Sequence, residues 1–290
     1  MLWIPITLGA ASLQVARNAI QRGLLGPAGP WGATLVRFLF GLPFSMLFAG
    51  CALALSPHAQ LSFSSRFALA CMLGGAGQIG ATAAMLVSMR RSSFALGTVF
   101  QLSGIPLAAL VGLAFGDHLS AARWLGLGLV AGALAALGWP RGRAGNWSAA
   151  PLGLVAGFGF ALAANAYRQA ALALDPGHPI VAAQITLVCV QGSQSTALVV
   201  WLAATDRAAL AAAVKSWRVS LGAGVFGAAA SGLWFTAFAL SPAGPVRAVG
   251  VVEAPIAAFA GRRLFAERLE PWQWLAALVA GCGVALAALA

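Results

Sequence analysis

GVVEAPIAAFAGRRLFAERL, residues 250–269, sets a glutamate two residues ahead of a proline inside an apolar run. Residues 101–119, QLSGIPLAALVGLAFGDHL, carry a similar pattern. Sliding the chain by 149 residues lays Ser92 on Ser241, Pro106 on Pro255, Ala108 and Ala109 on Ala257 and Ala258, and Gly112 on Gly261. After one inserted residue, Asp117 falls on Glu267, Leu119 on Leu269, Trp124 on Trp274 and Leu125 on Leu275. Single matches are cheap in an alanine-rich chain. A proline, an acid and a tryptophan in the same order are not, so residues 1–145 and 146–290 read as two copies of one unit.

The composition says where such units reside. Of 290 residues, 61% are hydrophobic and 8% charged, against about 25% charged in soluble domains. Glycine and proline are scattered through the apolar stretches, a habit of membrane helices. A helix crosses the hydrocarbon core in about 20 residues. Apolar runs of that size fall at 3–22, 31–55, 67–88, 93–115, 122–139, 151–173, 179–204, 218–240, 244–265 and 272–289. The expectation is an all-α integral membrane protein of ten transmembrane helices, with every backbone polar group satisfied inside a helix. Five spans per copy is an odd number, so the second copy enters the membrane from the opposite side. Two inverted five-helix repeats of this kind are the architecture of secondary transporters, whose site lies near mid-bilayer where the copies meet.

The net charge of +11 raises the question of nucleic acid. The basic residues stand singly or in pairs between apolar blocks, with no stripe to track a phosphate backbone, so they read as caps on membrane spans. MLWIPITLGAASL lacks a basic n-region and reads as the first span rather than a cleaved leader. Cys51, Cys71, Cys189 and Cys282 lie in apolar runs without metal-ligand spacing and read as small packing residues. No cofactor or metal is expected. Gly75-x-Gly77-x-x-Gly80 matches a dinucleotide fingerprint, but it sits inside a span with no preceding strand, so close helix packing is expected there. Asp117-His118 and Asp175-Pro-Gly-His178 read as solvated loop residues with no nucleophile at useful spacing.

A serine, a proline 14 residues later, an acid 11–12 residues on and a glycine-rich last span resemble the EamA repeat of the drug/metabolite transporter superfamily. Arg37 in span 2 and Tyr167 in span 6 are similar features, and the resemblance covers nearly the whole chain. It implies a ten-helix bacterial inner-membrane exporter of amino acids, aromatic ones included, or of related metabolites. Gln184 stands where a second copy of Arg37 would fall, so the role of that arginine is not duplicated. A proton-coupled multidrug exporter of the same superfamily is the alternative. Its small four-helix relatives use an acid in their first span, where this chain has Gln14 and Asn18. An integral membrane enzyme is the remaining reading. Amino acid and lipid are the expected partners, and the working unit is expected to be a monomer.

Candidate site residues follow from the cost of polarity in lipid. Spacings of four place Gln14 with Asn18, Gln78 with Thr82 and Asn165 with Gln169 on single helix faces. These faces should point into the bundle, as substrate contacts or as interhelical hydrogen bonds. Gln184, Gln191 and Ser195 share a face of span 7, where hydrogen-bond glue is favoured. Gln101 is expected at the depth of Gln78, and Phe100 and Trp234 as apolar walls of the pocket. Glu253 costs about 2.5–3.5 kcal/mol in a span. It is either a coupling or ammonium-binding group or half of an ion pair with Arg17, Arg37, Arg168 or Arg247. With one such acid and several arginines to keep it ionised, transport is not expected to be obligatorily proton-driven. Pro106 and Pro255 read as hinges. Most tryptophans fall near span ends, as an interfacial belt does. With cytoplasmic termini, the cytoplasmic loops would hold only Arg66 and Arg123. The positive-inside rule therefore puts the termini outside, whereas the resemblance implies cytoplasmic termini.

Overall fold

The computed structural model describes residues 1–92, 101, 103–138 and 150–265, together with 272, 275, 278, 279, 282, 283 and 285–287. Among the described residues there are helices and turns and no strand. The helices are α1 (Trp3–Gly23), α2 (Leu25–Leu39), α3 (Leu42–Leu55), α4 (Ser65–Arg91), α5 (Gly104–Ala114), α6 (Ala121–Gly138), α7 (Ala150–Leu174), α8 (Pro179–Thr205), α9 (Arg207–Lys215), α10 (Trp217–Leu240) and α11 (Ala243–Val249). A 3₁₀ turn at Gly250–Val252 leads into α12 (Glu253–Phe265).

Among the described residues, five stretches are long and apolar enough to cross a membrane: Ala28–Leu55, Ser65–Arg91, Pro179–Thr205, Trp217–Leu240 and Ala243–Gly261. The chain is in this respect compatible with a multi-pass membrane protein. Polarity is distributed accordingly. Leu69, Met72 and Val200 stand outward, each more than 60% exposed, while Gln14, Arg17, Asn18, Arg37 and Glu253 are buried. Among the edge residues, Trp31 meets Trp201 edge-on at 4.8 Å.

Several expected spans are subdivided. The run 31–55 is α2 followed by α3, because Pro43 lacks the N–H that would continue the α2 ladder. Within α2, Gly29 has φ 64°, a left-handed conformation open to glycine, just before Pro30. The stretch between spans 7 and 8 is not all loop. Asp206 accepts a hydrogen bond from the Ala209 N–H (2.9 Å) and so caps α9, which buries Ala209 and Ala213.

Helices α4 and α7 approach closely. A methyl group on Gly77 would stand 3.1 Å from the Gly159 carbonyl oxygen, and one on Gly159 would stand 2.8 Å from that of Gly77. Gly74 faces the Tyr167 ring, 2.5 Å from where its Cβ would be. Of the glycines in the nucleotide-like pattern, Gly77 sits on this seam, Gly75 faces Gln194 and Val190 of α8 at ordinary contact distance, and Gly80 has open space beside it.

Asp175 corrects an expectation. It is not a solvated loop residue but is buried, at 6% exposure, where α7 turns into α8. Its carboxylate accepts from the backbone N–H groups of Gln60 (2.9 Å), Gly177 (2.9 Å) and His178 (3.2 Å), and it meets His178 Nδ1 at 2.9 Å. Leu174 O also accepts from Ser62 N at 2.9 Å, so the turn and the 56–64 connection are tied together. Asp117 is likewise engaged, 3.8 Å from Arg168 Nε. Burial works against the charge of Asp175, but these hydrogen bonds outweigh it and hold its carboxyl below the ordinary range. A depressed carboxylate contributes stability above its unfolded value and loses it as pH falls through the folded one. Asp175→Asn should therefore cost about 1–3 kcal/mol at neutral pH, read as a lower Tm of the detergent-solubilised protein. The difference should persist down to about pH 4 and shrink below it.

Candidate functional site

The site begins where a helix fails. Pro255 has no N–H to give the carbonyl four residues back, and the chain relaxes into the 3₁₀ turn before resuming as α12. Glu253 is the first residue of the resumed helix and is fully buried. Pro106 stands the same way, third in α5 after a turn residue at Ser103. Each proline therefore sits two residues into a fresh helical segment, at starting points 149 residues apart (253 − 104).

Glu253 is held by amides. Gln14 Nε2 donates to Oε1 at 2.7 Å and Gln101 Nε2 to Oε2 at 3.1 Å. The arginines offered as its ion-pair partners have other hydrogen bonds or aromatic neighbours. Arg17 donates to the Asn18 side-chain oxygen. Arg37 donates to Thr82 Oγ1 (3.1 Å) and Ser231 Oγ (3.2 Å). Arg168 donates to Phe238 O at 3.0 Å beside Asp117. Arg247 lies over the Trp234 ring, 5.0 Å from its centroid, and 6.0 Å from that of Phe160. Among the described residues, the three buried arginines, Arg17, Arg37 and Arg247, share the interior with Glu253, the other buried acid, Asp175, lying at the turn from α7 into α8.

Beside this group is a pocket with about 350 Å³ of atom-free space, its mouth included. Gln14 of α1, Arg37 of α2 and Gln78 of α4 line it from the first half of the chain. Tyr167 of α7, Trp234 of α10 and Arg247 of α11 line it from the second. The polar wall is ordered. Gln78 Oε1 accepts from Gln194 Nε2 at 3.0 Å. It also lies 2.9 Å from Tyr167 Oη, whose one proton is shared between it and the Gly74 carbonyl, also at 2.9 Å. The apolar wall is stacked: Tyr167 lies on Phe235 at 4.0 Å and Trp234 on Phe238 at 5.6 Å. Gly250, in the 3₁₀ turn, backs the indole so closely that a Cβ there would stand 2.5 Å from Trp234 Cη2.

Among the residues singled out in the sequence, Gln14, Gln78, Trp234 and Arg37 meet at this pocket. Thr82 and Gln101 stand behind it, on Arg37 and Glu253. The others lie elsewhere. Asn18 holds Arg17. Asn165 Nδ2 donates to Ala108 O (2.9 Å) and Ala161 O (3.0 Å), fastening α7 to α5. Gln169 accepts from Arg66 near the end of the bundle. Phe100 lies outside the described residues. On α8, Gln184 donates to Gly232 O and Thr236 Oγ1, and Gln191 accepts from Ser45. Arg247 and Ser231 were missed as pocket residues. The signal for Arg247 was present, because an arginine inside an apolar span is costly unless the interior uses it.

No protein-family model matches the chain, and no curated protein is significantly similar to it. A solved crystal structure does share the fold, with a TM-score of 0.66 at 15% identity over 99% of this chain and 96% of that one. The likeness extends over nearly the full length of both.

Glu253→Gln replaces one acceptor oxygen by a donor opposite two amides. Gln101 can turn its buried, unpartnered Oε1 toward it, so this variant should fold with a loss near 1 kcal/mol. Glu253→Leu leaves the buried amides of Gln14 and Gln101 without an acceptor and should cost about 2–6 kcal/mol, the sum of two penalties of about 1–3 kcal/mol for an unpaired buried group. Thermal unfolding of the two purified variants checks the order.

Proposed function

We propose that the chain is a secondary transporter of the bacterial inner membrane, related to the drug/metabolite exporters, which moves amino acids or similar small metabolites outward by alternating access. In this reading the five-helix units 1–145 and 146–290 form ten spans and rock about the pocket, with the helix breaks before Pro106 and Pro255 as hinges. The observation that carries it is a polar pocket inside an apolar helical body, lined by three helices from each half of the chain. That is where a repeat-built transporter keeps its site. The stacked aromatics would take an apolar side chain and the polar wall a headgroup.

Both oxygens of Glu253 already accept an amide N–H, an arrangement that suits a standing carboxylate. Transport in this reading does not depend on its protonation.

Counterflow of radiolabelled amino acids in proteoliposomes is the direct test. The parent protein should exchange substrate at rates well above empty liposomes. Gln78→Leu removes the acceptor of Gln194 and a polar face of the pocket, at about 1–3 kcal/mol for the unpaired group. It should slow exchange about tenfold or more with expression near normal. Trp234→Ala opens the apolar wall and should move preference away from large side chains. Parent-like exchange in Gln78→Leu would place the substrate elsewhere.

A further inference from the structure

The chemistry of the pocket's unmet hydrogen bonds is one-sided. Among its lining residues, the buried polar atoms without a partner are Arg37 Nε, Arg247 Nε, Arg247 Nη2 and Trp234 Nε1. All four are donors. No carboxylate is among the described lining residues, whereas two guanidiniums are. The one nearby acid, Glu253, stands behind Gln14 with each oxygen already engaged by an amide. Thr82 and Ser231 take two of the N–H groups of Arg37. Arg247 leans on the faces of Trp234 and Phe160, which steadies its charge without consuming an N–H. Donors left bare in a dry pocket are costly, and two guanidiniums line this one with no acid among its described lining residues to offset their charge. A ligand that brings acceptor oxygens and a negative charge relieves both.

We propose that this pocket recognises the anionic headgroup of an organic acid, through Arg247, Arg37 and the Trp234 N–H, and does not recognise an ammonium group. The ligand class is a monocarboxylate with a flat or bulky apolar body. An amino acid enters by its carboxylate, and the same acid without its amino group is held as well. A guanidinium presents a planar fork of N–H groups that suits a carboxylate. An ammonium ion would meet two like charges and no lining acid. The inference rests on the transport reading only for what binding leads to; the headgroup preference concerns binding itself.

The test uses four probes of one shape: 3-phenylpropanoate (anion), phenylalanine (zwitterion), 3-phenylpropanamide (neutral) and 2-phenylethylamine (cation). Binding is measured by isothermal titration on the full-length protein in detergent. The acid and phenylalanine should bind within about threefold of each other, with the amide and the amine at least about tenfold weaker, the order of one lost charged hydrogen bond. Arg247→Gln should weaken the acid at least about tenfold on the same scale. Arg247→Lys keeps the charge but not the fork, and serves if the glutamine variant does not fold. Unchanged affinity in whichever of these folds overturns the clamp. Phenylalanine binding ten times tighter than the acid would mean that the ammonium is read, which overturns the proposal and leaves transport standing. Binding of none of the four also overturns it, with transport judged separately by counterflow. An acid that binds but shows no counterflow keeps the headgroup site and removes the transport reading.

Discussion

A polar group cut off from water has to be answered by the protein around it, and in this chain that condition organises the centre. Glu253 has no exposed surface, and its two oxygens are met by Gln14 and Gln101, which lie far from it in sequence. Those bonds tie α1 and residue 101 to the start of α12. Once Gln14 is turned toward Glu253, its body becomes one side of the neighbouring pocket. Among the described residues, three buried arginines, Arg17, Arg37 and Arg247, then stand against Glu253, the second buried acid, Asp175, being held at the turn from α7 into α8. An interior of that composition is stable only if hydrogen bonds and aromatic faces take up the excess, as Asn18, Thr82, Ser231 and Trp234 do.

The apolar exterior and the polar interior are two sides of one solvent argument. Leucines, methionines and valines with more than half of their surface exposed would be a liability in water. In a bilayer they are the ordinary surface. Close packing then rests on small residues rather than on a hydrophobic core, and the Gly77–Gly159 approach of α4 and α7 is the clearest case.

Much of this was legible in the sequence, though unevenly. Helical character and the positions of most long helices follow from runs of apolar residues near the bilayer length. The breaks at Pro43 and at Gly250–Val252 fall where proline removes a donor, but a window of apolar residues passes over them. The four-residue spacing of Gln14, Gln78 and their neighbours indicated which faces turn inward. It could not say which of them share a cavity, because that depends on how helices distant in sequence cross. Asn18 and Asn165 follow the same pattern as Gln14 and Gln78, yet serve neighbours instead of the pocket. Asp175 looked like an ordinary turn acid, and only the return of the 56–64 connection gives it the Gln60 N–H. Arg247 was visible as a costly residue. Its aromatic supports come from α7 and α10, which no local reading of residues 243–249 contains.

The contact between Gly250 and Trp234 has a consequence for size. Gly250 does not line the pocket, yet the Trp234 indole can lie where it does only because residue 250 lacks a side chain. The caliper that sets the width of the cavity is therefore outside it, in a turn that forms because Pro255 interrupts the helix. One added carbon at that turn would force the indole from its place and reshape the cavity while every lining residue kept its identity.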